Sequence, residues 1–208
     1  NVMMAYKLNY KPKTVCFSVE NYLDHQISKK IAHSLELDYQ FISLEQGVYM
    51  NHLRENLIIN NALCSFTDSA HYNFAIQKMA IPNFGLIHTG QIGDGIFGNL
   101  LSKSNNYLSK AINLDYLDKT GVDKKSFSNY KSEETYKLYQ SVFNKTHTGS
   151  FTTESYKTYL TSPFLDDDLI NVALSIDRKL KKNQNIYIDW ILKNHLKATN
   201  FIWERTGF

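Results

Sequence analysis

Residues 1–100 show two hydrophobic periods in turn. Thr14 to Val19 (Thr-Val-Cys-Phe-Ser-Val) is a β-branched and aromatic run closed by the polar pair Glu20-Asn21, which predicts a strand feeding a helix. Leu23, Ile27, Ile31 and Leu35 then recur every fourth residue, with Lys29, Lys30 and Glu36 turned away, the mark of an amphipathic helix. Tyr39 to Leu44 reads as the next strand, completing a strand-helix-strand unit of about thirty residues, the length of a parallel crossover. Helical stretches are expected at Val48 to Leu63 and Ser69 to Ala80, before Pro82-Asn83 breaks the chain. Phe84 to His88 is continuously apolar, as a strand buried on both faces would be. The pattern predicts an α/β fold with a doubly wound parallel sheet over residues 1–100.

Beyond Gly98 the character changes. Ser102 to Thr161 is rich in Ser, Asn, Lys, Thr and Tyr, with weak helical periodicity at Tyr136, Tyr139 and Phe143 and no strand signal. Periodicity returns at Ser162-Pro163-Phe164-Leu165-Asp166. Pro163 suits a first helical position, and Asp166 to Asp168 complement the positive end of a helix whose apolar stripe is Leu165, Leu169, Val172 and Ile176. A further helix is expected from Tyr187 to Lys197. Residues 101–208 therefore read as a mostly helical C-terminal part.

Composition narrows the function classes. At 208 residues and 43% hydrophobic, the chain can bury one substantial core or one domain with a helical appendage. A net charge of +3 comes from scattered lysines, with no basic stripe to follow a nucleic-acid backbone. Cys16 and Cys64 are too few for a disulfide framework, and neither has a second ligand at zinc spacing, which fits a reducing, cytoplasmic setting. Val2-Met3-Met4-Ala5 is too short for a signal sequence, and no apolar stretch approaches the roughly 20 residues of a membrane span. The expected partners include neither nucleic acid nor membrane.

The candidate chemistry lies in Thr89-Gly90-Gln91-Ile92-Gly93-Asp94-Gly95-Ile96-Phe97-Gly98, a loop that follows the apolar strand and holds four of the nine glycines. Ligands of parallel sheets sit outside the carboxyl ends of the strands, and glycine lets backbone amides approach an anion. Asp94 offers a hard oxygen to Mg²⁺, which commonly bridges carboxylates and substrate phosphates. The alternative is a plain strand-to-helix turn in which Asp94 is an N-cap. No Walker lysine is present. His88 and His71 read as packing residues, Asp166 to Asp168 as helix-terminus carboxylates, and Trp190 and Trp203 as core.

Phe17-Ser18-Val19, the glycine loop, Ser162-Pro163-Phe164-Leu165-Asp166 and Arg205-Thr206-Gly207-Phe208 occur in that order. In these the chain resembles the synthetase domain of glutamine-hydrolysing asparagine synthetases nearly end to end. The family's loop reads Ser-Gly-Glu/Asp-Gly-x-Asp-Glu-x-Phe-Gly-Gly-Tyr, and Thr89 to Gly98 aligns with it without a gap. The resemblance implies an adenine nucleotide alpha hydrolase-like sheet of the pyrophosphatase-loop class, binding ATP and Mg²⁺. It implies attack of a small-molecule carboxylate on the α-phosphorus to give an acyl-adenylate and pyrophosphate. Ammonia, delivered from glutamine by an N-terminal or partner glutaminase domain, then forms the amide. By position, Val19, Thr89, Gly90, Gln91 and Gly93 would line the nucleotide site and Asp94 would hold Mg²⁺. Arg205 would take the place of a phosphate-binding lysine, keeping the charge and adding a fork.

The departures from the family pattern are specific. Its opening Ser-Gly-Gly-x-Asp-Ser pyrophosphate loop is not among these residues, and Asn1 to Lys11 reads as the end of the helix that would follow it. The expectation is a fragment whose first strand and phosphate loop precede Asn1, inactive alone. Gln91 stands where the family has an acidic residue, and an amide cannot act as a base. Gly95 replaces Glu, and Asn99-Leu100 replaces Gly-Tyr, which points to an acceptor other than aspartate. A catalytically degenerate nucleotide-binding or scaffolding module of the same fold is the alternative.

Overall fold

The structure is a computed structural model and describes residues 1–62, 70–79, 85–99, 130–139, 154 and 156–202. The chain divides into two units. One comprises Asn1–Gly90, His147–Ser162 and Asp189–Phe208, and the other Gln91–Thr146 and Pro163–Ile188.

The first unit opens with helix α1 (Val2–Lys7), followed by strand β1 (Thr14–Ser18), helix α2 (Leu23–Ser34) and strand β2 (Tyr39–Ser43). β1 and β2 pair in parallel, with Phe17 opposite Ile42, so the strand-helix-strand reading holds within one residue at each boundary. Alternation along the strands sends side chains both ways. Val15, Phe17 and Ile42 pack with Phe74 and Ala75 of helix α4 (Ala70–Lys78), while on the other face Phe41 stacks on His25 of α2 with ring centroids 3.8 Å apart. Helices thus cover both faces of this parallel pair, the arrangement that lets its strands be nearly all apolar.

The expected helix from Val48 to Leu63 is broken. Residues Glu45–His52 form 3₁₀ turns, only Leu53–Ile59 is α-helical, as α3, and Asn61 and Ala62 take left-handed φ of 52° and 55° beyond its end. Strand β3 (Leu86–His88) pairs in parallel with β4 (Tyr159–Thr161). β4 corrects the sequence reading, which placed no strand there. Tyr-Leu-Thr is too short to show a period, and its pairing is supplied by β3, over seventy residues away by sequence. Leu23 also departs from its expected stripe. It is exposed, and α2 instead buries Ala32, followed by Leu35 and Leu37 beyond its end.

The second unit holds a π-helical turn (Gly95–Asn99), helix α5 (Glu133–Lys137), a 3₁₀ turn (Pro163–Leu165), helices α6 (Asp167–Ser175) and α7 (Arg178–Lys181), and the start of α8 (Asn185–Asn194). Asp166 is the α6 N-cap, its carboxylate accepting the Leu169 amide at 2.9 Å. Pro163 therefore precedes the helix by a turn. The buried stripe of α6 runs through Leu169, Ile170, Ala173 and Leu174, and Val172 is 58% exposed, a correction of the expected Val172 position. α8 begins two residues before the expected Tyr187 and ends at Asn194, with Leu196–Asn200 continuing as 3₁₀ turns. Among the described residues no helix is long and apolar enough to cross a membrane.

Candidate functional site

In the first unit the predicted residues Val19 and Thr89 each follow the last residue of a parallel strand. Past β1 the ladder continues one step, Leu44 N–H donating to the Ser18 carbonyl at 2.9 Å, and then the two chains part. Val19 is half-buried at this rim. Thr89 is tied on both sides. Its N–H donates to Thr161 O at 2.9 Å, and its carbonyl accepts Asn1 Nδ2 at 2.6 Å. Gly90 is exposed, and a Cβ built there would meet only Asn1 Nδ2, at 3.9 Å. His88, beside it, uses Nδ1 on Thr161 Oγ1 at 2.9 Å, the packing role expected of it. His71 lies among aromatic rings, 5.9 Å from Phe17 and 6.3 Å from Tyr49.

Burial shifts two phenols, one in helix α4 and one in the segment before β4, and one imidazole. Desolvation raises the Tyr72 and Tyr156 phenols, the latter opposed in part by the hydrogen bond from Gln77 Nε2 at 2.6 Å. His195 is 5% exposed, 4.8 Å from the Trp190 ring by centroids, and its pKa is lowered by burial and then by Lys7. Both groups penalise their charged form when water is withdrawn.

In the second unit the remainder of the loop is packed from below. Gln91 is half-buried in a turn, and Ile92 holds φ at +61° at the place where the family loop has glycine. A β-branched residue in that region is strained by about 1–3 kcal/mol, and burial of Ile92 with Ile96, Leu138 and Ala173 is what holds it there. Gly93 is buried under Phe164, where a Cβ would stand 2.8 Å from two ring carbons. Phe97 meets Phe164 edge-on at 6.2 Å and lies roughly parallel to Tyr187 at 6.3 Å. Gly98, at φ 112°, abuts the Lys181 carbonyl so closely that any Cβ would overlap it. At Gly93 and Gly98 packing therefore leaves no room for a side chain. Asp94 is exposed.

Sequence reasoning missed the support for this turn. Lys181 Nζ donates to Glu134 Oε1 at 2.5 Å and to the Ala173 carbonyl at 2.9 Å, at the core of the unit. One lysine in Arg178-Lys179-Leu180-Lys181-Lys182 carries no signal that it alone turns inward. Asp166 has the structural role expected of it, whereas Arg205 and Trp203 lie outside the described residues. Among the described residues no three His, Cys, Asp or Glu side chains gather as a metal cluster. A single exposed carboxylate still fits Mg²⁺, which typically keeps several waters and takes one or two carboxylates plus substrate phosphates. Among known protein families and curated proteins, none matches this chain.

Proposed function

We propose that this chain belongs to an ATP-dependent, AMP-forming amide synthetase of the asparagine synthetase type, on a doubly wound sheet of the pyrophosphatase-loop class. The observation that carries the reading is the packing of Phe164, from Pro-Phe-Leu-Asp, on Gly93 of the glycine loop. Two motifs far apart by sequence, and named together by the resemblance, meet in one unit, and Asp94, next to Gly93, is exposed.

In this mechanism a carboxylate oxygen attacks the α-phosphorus of ATP, and the bond to the β-phosphate oxygen breaks, releasing pyrophosphate. Ammonia from a glutaminase domain then attacks the acyl carbon, and AMP leaves with the carbon–oxygen electron pair. Val19, Thr89 and Gly90 line the nucleotide, the Gly90 amide donating to an anionic oxygen. Asp94 would hold Mg²⁺, which supplies neutralisation of phosphate charge. Arg205 would bind phosphate. Gln91, an amide, orients but takes no proton, so the proton shed by the attacking nitrogen goes to solvent. A cytoplasmic setting without nucleic acid or membrane suits such an enzyme.

The test is magnesium-dependent formation of AMP and pyrophosphate by the full-length protein over a panel of carboxylic acids with ammonia. Activity abolished by Asp94→Asn supports the synthetase, and silence across the panel counts against it. The second reading, a nucleotide-binding module without catalysis, is favoured by Gln91 and by the closure of Gly98 on Lys181. It requires Mg-ATP binding without product.

A further inference from the structure

The carboxyl rim of β1 and β2 carries a carboxylate in a defined position. Glu45, two residues beyond β2, reaches across the gap where the strands part, and its Oε1 accepts the Glu20 amide at 2.8 Å. Its own amide donates to Ser43 Oγ at 3.2 Å. The carboxylate is thereby tethered beside Val19, the residue that follows β1. Glu45 is exposed, and among the described residues its Oε2 has no partner. Asn21 (φ 64°), Gln46 and Gly47 take left-handed conformations just after this point.

We infer that Glu45 accepts the ribose 2′-hydroxyl of an adenine nucleotide and sets a preference for ribonucleotides over deoxyribonucleotides. This rests on the nucleotide-binding function proposed above. An ionised carboxylate accepts only, so one oxygen held by an amide leaves the other for an O–H donor. Phosphate, itself an acceptor and anionic, is repelled there, while a sugar hydroxyl is attracted. Nucleotides of parallel α/β sheets lie across the carboxyl ends of the strands, and Glu45 stands just past the carboxyl end of β2. A charge-assisted hydrogen bond is also among the stronger ones. If Glu45 served only to hold the Glu20 amide, nucleotide preference would be indifferent to the 2′-hydroxyl.

Calorimetric titration of the full-length protein with Mg-ATP and with Mg-2′-deoxy-ATP tests this, beside Glu45→Gln and Glu45→Ala. Glutamine keeps the acceptor for Glu20, so it decides the matter should the alanine variant fail to fold by circular dichroism. The expected result is about a tenfold or greater preference for ATP in the natural protein, falling below about threefold in the variants with 2′-deoxy-ATP affinity unchanged. Equal affinity of the natural protein for the two nucleotides, or a preference retained by Glu45→Gln, overturns the role of Glu45 and leaves the proposed function standing. Absence of binding by either nucleotide removes both.

Discussion

Lys181 and Glu134 meet at 2.5 Å with 0% and 5% of their side chains exposed, a salt bridge carried wholly inside the second unit. The lysine also closes the end of α6 through the Ala173 carbonyl, and its own carbonyl abuts Gly98. Removing one partner strands a charge away from water. Lys181→Met is expected to cost about 3–5 kcal/mol, whereas Lys181→Met with Glu134→Leu should return to within about 1 kcal/mol of the natural protein or exceed it. Urea denaturation of the four proteins of the cycle measures the coupling. Independent, additive losses would show that the pair does not act as a unit.

The loop glycines separate by what a methyl group would meet. Gly98→Ala combines a left-handed φ with overlap of the Lys181 carbonyl, so a loss above about 2 kcal/mol is expected. Gly90→Ala finds open space and should stay within about 0.5 kcal/mol. Thermal unfolding of both variants, side by side, distinguishes a packed turn from a freely adjustable one.

Asp166→Ala removes the acceptor for the Leu169 amide and should lower stability by about 1 kcal/mol, with Asp166→Asn retaining most of it. Asp167→Ala, which loses only the dipole contribution, should cost about half as much or less. Comparable losses at both positions, read from chemical denaturation, would assign the effect to charge alone.

His195 makes stability depend on pH in one direction. Burial and then Lys7 lower its pKa in the folded protein, while the unfolded chain keeps the ordinary value of about 6.5. The unfolded state therefore binds more protons between the two values. Stability is complete above about pH 6.5 and falls as the solution is acidified toward the folded value. The difference in unfolding free energy between pH 7.5 and pH 5.5 should shrink in His195→Gln relative to the natural protein. An unchanged difference would place the imidazole in water.

The first strand-helix-strand unit was readable because its periods are local. Thr14 to Val19 and Tyr39 to Leu44 are β-branched and aromatic enough to be strands anywhere, and the helix between them repeats every fourth residue. The end of β3 at His88 was likewise legible, but the expected burial on both its faces fails, Leu86 being 70% exposed, and the helix expected from Pro163 starts only after the N-cap Asp166. β4 was not legible. Three residues gain strand geometry only from a partner distant along the chain, and propensity yields to that pairing. The helix expected from Val48 was legible only in part, since the chain up to His52 closes into 3₁₀ turns and Asn61 and Ala62 turn left-handed after Ile59, neither of which a periodicity records.

For the candidate site, sequence alone determined that a glycine-rich loop with one carboxylate follows an apolar run and that Pro-Phe-Leu-Asp leads into a helix, which begins at Asp167. Only the tertiary structure decided which glycines are free. Gly90 faces open space, while Gly93 and Gly98 are occupied by Phe164 and Lys181. It alone singled out Lys181 among neighbouring lysines for burial and set the Glu45 carboxylate on the Glu20 amide. Backbone preference and hydrophobic period act over a few residues and are written in order along the chain. Close packing and desolvation act between surfaces that meet only once the chain has folded, so the residues they select carry no mark beforehand.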